Sequence, residues 1–207
     1  MSRDPRFYEL KALFLEDCET ALRRVQADNS LLDVRSGLGE TLLHWFAIEY
    51  REDLVKTLAD AGAAIDPRNK FGNTPLFEAA LIGNEGMCRL LLSMGASPDT
   101  ANYEGQRPLM NAASLGVMKI CKLLVEHGAQ IGARGLNEAT AVSAASISGQ
   151  IEVLKLFLDH LDPAFDINML FSDMDADIVH QVGGHVASLL KPLGLRSPFE
   201  ELMSLLP

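Results

Sequence analysis

The chain has 207 residues, a formal charge of −10 at neutral pH, and 48% hydrophobic residues. That length allows one or two globular domains, and the apolar content suffices for a continuous core. The acidic balance argues against nucleic acid or an anionic membrane as main partner, because both are recognised through clustered Lys and Arg.

The first residues, Met1-Ser2-Arg3-Asp4-Pro5-Arg6, are polar and have no apolar core of a secretion signal. No stretch approaches the roughly 18 apolar residues of a membrane helix, so the chain is expected to be soluble and cytoplasmic. Asp4-Pro5 is a favourable helix start, and Phe7, Leu10, Leu13 and Phe14 follow at helical spacing. Leu22 and Val25 continue the apolar face beyond the polar Glu16-Asp17 break.

From there the chain repeats itself. The segments beginning at Gly39-Glu40-Thr41-Leu42, Gly72-Asn73-Thr74-Pro75 and Gly105-Gln106-Arg107-Pro108 are spaced by 33 residues. Gly62-Ala63, Gly95-Ala96 and Gly128-Ala129 keep the same register, as do Asp33, Asp66 and Asp99. A period of this size predicts stacked units, each burying its apolar face only against its neighbours. Every unit reads as a turn (35–39, 68–72, 101–105, 134–138), a short helix, a glycine-containing break, and a second helix. A glycine suited to the left-handed helix end closes the first three units. Thr74 can cap a helix and Pro75 suits its first turn. Shifting by one period makes residues 1–33 a degenerate first unit with a polar outer side.

The pattern Gly-x-Thr-Pro-Leu-x-x-Ala-Ala-x-x-Gly, followed by Leu-Leu and Gly-Ala, resembles the ankyrin repeat. The resemblance implies an all-α solenoid of helix-turn-helix units joined by short β-turn or hairpin loops. It implies one domain over 1–207, with repeats at 34–66, 67–99, 100–132 and 133–165 between a degenerate 1–33 and a cap with tail helix at 166–207. The pattern weakens in places: Arg107 stands where a threonine is expected, the fourth unit lacks the proline, and Leu161-Asp162 replaces Gly-Ala. Only the first strong repeat keeps the family's histidine, His44, which the resemblance makes a structural residue bonded to neighbouring backbone.

No residue pattern supports catalysis. The five histidines form neither an HExxH nor a His/Cys cluster, and there is no GxSxG elbow or phosphate-binding glycine loop. His127 and His160 fall near the ends of successive second helices, where a polar or cationic side chain suits the exposed carbonyls. Cys88 and Cys121 occupy equivalent positions and read as small buried hydrophobes, with no metal or disulfide spacing. Asp173-Met174-Asp175-Ala176-Asp177 starts like a calcium loop, but Ile178 and Gly184 stand where that loop needs Gly and Glu. The expectation is a non-enzyme with no metal and no cofactor.

A partner surface is the more informative expectation. In ankyrin proteins it is usually a concave face built from turn tips and first helices. Carried over by position, that face takes Arg68, Lys70 and Phe71 from one tip, Tyr103 from the next and Leu136 from the fourth. From the helices it takes Trp45, Ile48, Glu78, Leu81, Ile82, Asn111, Leu115 and Ile147. The apolar members would be polar if they faced only water, and contiguous exposed apolar surface marks interaction sites. The competing expectation for each is packing between repeats or beneath a terminal segment. The partner implied is a protein or peptide, with neither nucleic acid nor membrane, and the free chain is expected to be monomeric. A second reading, motivated by the single-array length and the net charge, is a dedicated inhibitor of antitoxin type that blocks a basic active site with acidic surface; the stretch between Lys155 and Lys191, which holds acids but no Lys or Arg, is a second possible surface.

Overall fold

The computed structural model describes residues 4–136 and 139–160. The end of the fourth repeat, the cap and tail, the acidic stretch beyond Asp159, His180, His185 and the tip residues Asn137 and Glu138 lie outside the described residues. Contacts group the chain into two compact units, one up to Pro108 and one from Leu109 onward. Among the described residues all regular structure is helical, as the repeat pattern predicts.

The first unit opens with α1 (Pro5–Glu16) and α2 (Cys18–Ala27). The Asp4 carboxylate accepts the Arg6 N–H at 3.0 Å, and Pro5 sits in the first turn, where its missing N–H leaves nothing unsatisfied. Asp17 ends α1 and caps α2, accepting the Thr20 N–H and hydroxyl at 3.0 and 2.6 Å. Those bonds hold its carboxyl below the ordinary range. Phe7, Leu10 and Phe14 of α1 are buried. Phe14 meets Phe46 edge-on at 6.1 Å, so the first pair of helices covers the next one.

α2 ends at Ala27, one period before the helix that ends at Asp60, but the turn after it differs: the chain forms a 3₁₀ turn over Asn29–Asp33, capped by the Asp28 carboxylate on the Ser30 N–H at 3.0 Å. Asn29 stands where Gly62 stands, and the glycine-dependent left-handed end is replaced by a side-chain cap.

α3 (Leu42–Ile48) with α4 (Glu52–Asp60), and α5 (Pro75–Leu81) with α6 (Glu85–Ser93), complete the helices of this unit. α5 packs on α3 and on α6, with Leu76, Phe77, Ala79 and Ala80 of α5 and Leu42, Leu43, Phe46 and Ala47 of α3 all buried. Thr74 caps α5, its hydroxyl accepting the Phe77 N–H at 3.2 Å.

The second unit contains α7 (Pro108–Leu115), α8 (Met118–Glu126), α9 (Ala141–Ile147) and α10 (Ile151–Asp159). Leu109, Ile120, Leu124, Val142, Leu154 and Phe157 form its core, and α10 packs on both α8 and α9. Although this repeat lacks the proline, Thr140 still caps α9, accepting the Ser143 N–H at 3.1 Å. The cap hydroxyl and the apolar pattern suffice to start the helix.

Between the helices of the later pairs the chain turns through a left-handed residue. Gly83, Gly116 and Gly149 serve there, with φ of 73°, 69° and 67°. In the first strong repeat the same position is Tyr50, at φ 58°. A side chain in that region costs about 1–2 kcal/mol.

Candidate partner-binding face

The loops ahead of the first helices are built alike. Ser36, Asn69 and Asn102 each donate their N–H to the carbonyl four residues on, at 2.8, 3.0 and 2.8 Å. Gly135 repeats this bond to Ala139 in the second unit at 2.8 Å. In the first unit successive tips are also joined to each other. The Lys70 N–H donates to the Leu38 carbonyl and the Tyr103 N–H to the Phe71 carbonyl, both at 3.0 Å.

Side chains reinforce the same ladder. Arg35 donates to the carbonyls of Gly39 and Arg68 at 2.8 and 2.7 Å. Arg68 repeats the pattern one unit on, donating to Gly72 and Ala101. Lys70 Nζ reaches back to the Gly37 carbonyl at 2.6 Å. A guanidinium planted between two loops satisfies carbonyls that would otherwise need water. Gly72 is required by its neighbour: a Cβ there would stand 2.8 Å from the Tyr103 nitrogen and from its ring, at φ +81°. Tyr103 therefore lies directly over the preceding loop, with the Arg68 guanidinium 5.5 Å from its ring centre.

The residues proposed from sequence separate on this frame. Glu78 turns inward, its Oε1 accepting the amides of Asn73 and Asn69 at 2.8 and 3.2 Å. Trp45 is half-buried and engaged within the chain, with the Phe7 ring at 6.3 Å edge-on and Lys11 Nζ 4.0 Å above it. Ile48 and Asn111 are half-buried. Arg68 and Lys70 are exposed but bonded to the ladder as described. The apolar members differ: Phe71, Leu81, Ile82 and Tyr103 are exposed in the first unit, and Leu115, Leu136 and Ile147 in the second. Ile147 is 87% exposed, with Leu115 at the end of the adjacent first helix, where Ser114 and Ser148 hydroxyls meet at 3.2 Å.

In the first unit, Phe71, Leu81 and Tyr103 surround a cleft of about 310 Å³ with buried Phe77 beside it. Lys70, Glu104 and Gln106 supply its polar edge. An open cleft with aromatic walls and a polar rim suits one bulky apolar side chain of a partner. Tyr50 adds an exposed aromatic that the site reading missed. The missing glycine in the 33-residue register was its signal.

The histidines and cysteines of the described residues do not line that cleft. His44 is buried: its Nδ1 accepts the Thr41 N–H at 3.2 Å, and Nε2–H donates to the Asn73 carbonyl at 2.9 Å. Burial pushes its pKa down to about 4, so the ring is neutral and ties one repeat to the next loop. His127 and His160 bond Leu123 and Leu156 carbonyls of their own helices at 2.8 and 2.9 Å, fitting the helix-end role. Burial pushes the thiols of Cys88 and Cys121 up to about 12, which makes them packing groups. Among the described residues no group of three His, Cys, Asp or Glu side chains is arranged to hold a metal ion. No described helix is long and apolar enough to cross a membrane.

The family model described as ankyrin repeats (3 copies) matches residues 10–102 and again 95–169. The chain belongs to the ankyrin-repeat family. The looped helix pairs, the threonine caps and the His44 bond to the next loop are its local features here. No curated protein matches the chain. Ankyrin repeats generally serve as protein–protein interaction modules, and the fold alone names no partner.

Proposed function

We propose that this ankyrin-repeat chain is a non-enzymatic binding protein that captures a protein or peptide through the tips and first helices of its repeats. The observation that carries this reading is the cleft of Phe71, Leu81 and Tyr103, whose apolar side chains stay exposed while the polar neighbours brace the scaffold. Burying one such side chain contributes about 1.5–3 kcal/mol, so three in one patch are enough to anchor a partner. The partner displaces water from the aromatic walls and takes polar contacts from the rim.

Substituting Phe71→Glu together with Leu81→Glu tests the reading in the full chain. Partner capture from native lysate should be lost, while helical circular dichroism and the melting transition stay unchanged. Undiminished capture overturns the assignment of the face, and a collapsed melt shows that these side chains pack within the array instead.

A further inference from the structure

Arg35 stands exposed on one tip and Arg68 on the next, beside Lys70, and Glu104 is the acid at the cleft's edge. Arg35 and Arg68 make their bonds to main-chain carbonyls, which fix their positions but leave their charge uncompensated; neither is ion-paired among the described residues. Of the other acids on these repeats, Glu49 is exposed at the end of α3, while Glu40 and Glu78 are engaged by the scaffold. Glu40 is buried against the Ser36 hydroxyl at 2.8 Å, and Glu78 accepts the amides of Asn69 and Asn73. The chain's net charge of −10 is spread along the whole sequence. At physiological ionic strength the screening length is about 8 Å, so the cations at the tips decide the local field.

We propose that the cleft takes an acidic peptide segment carrying one bulky apolar side chain. The apolar group lies between Phe71, Leu81 and Tyr103, and carboxylates beside it run along the tips past Lys70, Arg68 and Arg35. This rests on the reading of the face as a protein-binding surface and specifies its ligand. The guanidinium planes of Arg35 and Arg68 are already held by two carbonyls each, so they meet a carboxylate with little further ordering.

Fluorescence anisotropy on the full chain tests this with three labelled peptides of about twelve residues. One has a central Phe flanked by Asp and Glu, the second has Lys in place of those acids, and the third keeps the acids but has Ala for Phe. The acidic Phe peptide should bind at least tenfold tighter than either of the others. Its affinity should fall as salt is raised, and it should fall about tenfold in Leu81→Gln and several-fold in Arg35→Gln. Leu81→Gln removes the apolar wall without adding charge and leaves the tips intact, so a normal melt in that variant ties the loss to the cleft. Equal or tighter binding of the Lys peptide overturns the acidic assignment while leaving the binding face in place. Failure of all three to bind, or binding indifferent to Leu81→Gln, overturns the proposal as well; the native-lysate capture of the Phe71 and Leu81 variant judges the face independently.

Discussion

The loop tips and the first-helix ends carry the same kind of expectation but use their side chains differently. At the tips, Arg35, Arg68 and Lys70 offer charge to a ligand only while each also spans from one loop to the next and satisfies carbonyls there. Glu78, on the helix below, likewise holds the loop amides. At the helix ends, exposed Leu81 and Ile82 sit beyond the residues that bury α5 against α3. The contrast teaches that in a repeat protein an exposed charge is often scaffold, and an exposed apolar side chain with no packing role is the better sign of a ligand.

The largest expected effect lies in the scaffold and follows pH. His44 has a folded pKa of about 4 against an ordinary 6.5, so its stabilising contribution is complete above pH 6.5 and is lost as pH falls through 4. That amounts to about 3 kcal/mol by pH 4. Urea unfolding at several pH values should show it, with the slope between 6.5 and 4 reduced in His44→Gln. A wild-type slope in that variant would place the proton uptake elsewhere.

The ladder between tips is tested next. Gly72→Ala should destabilise by about 2 kcal/mol or more, because it adds both left-handed strain and a clash with Tyr103. Gly62→Ala, also left-handed at φ +96° but with nothing within 4 Å of the new Cβ, should lose only about 1 kcal/mol. Equal losses would mean that the tight approach of Tyr103 contributes nothing.

Much of this was legible in the sequence, for local reasons. The 33-residue register fixed the helix pairs, the threonine at Thr74 predicted its cap, and the resemblance gave His44 a bond to neighbouring backbone. The turn at residues 28–33 was not legible from the register: Asn29 stands where Gly62 stands, and Asp28 caps a 3₁₀ turn there. The site was less legible. Position within a repeat says which way a side chain points, but not what it touches, so Trp45 could not be told from Leu81. Trp45 meets Phe7 and Lys11 only because α1 folds over α3, a long-range contact that no periodicity records.

Smaller effects sharpen the distinction. Tyr50→Gly removes left-handed strain but adds chain entropy to the unfolded state, leaving a gain of about 0.5 kcal/mol by denaturant midpoint. A loss instead would mean that the Tyr50 side chain packs usefully in the free protein. Ile147→Ser, at a side chain almost wholly in water, should stay within about 0.5 kcal/mol of wild type.

The most direct test sets one residue of each kind side by side: quantitative partner capture by Phe71→Ser and by Glu78→Gln. Phe71→Ser should lose at least tenfold in capture, about 1.4 kcal/mol, with its melt unchanged. Glu78→Gln, which keeps an acceptor for Asn69 and Asn73, should capture within about twofold of wild type, because its side chain serves the loop and not the ligand. Retained capture in Phe71→Ser together with lost capture in a folded Glu78→Gln would contradict the account.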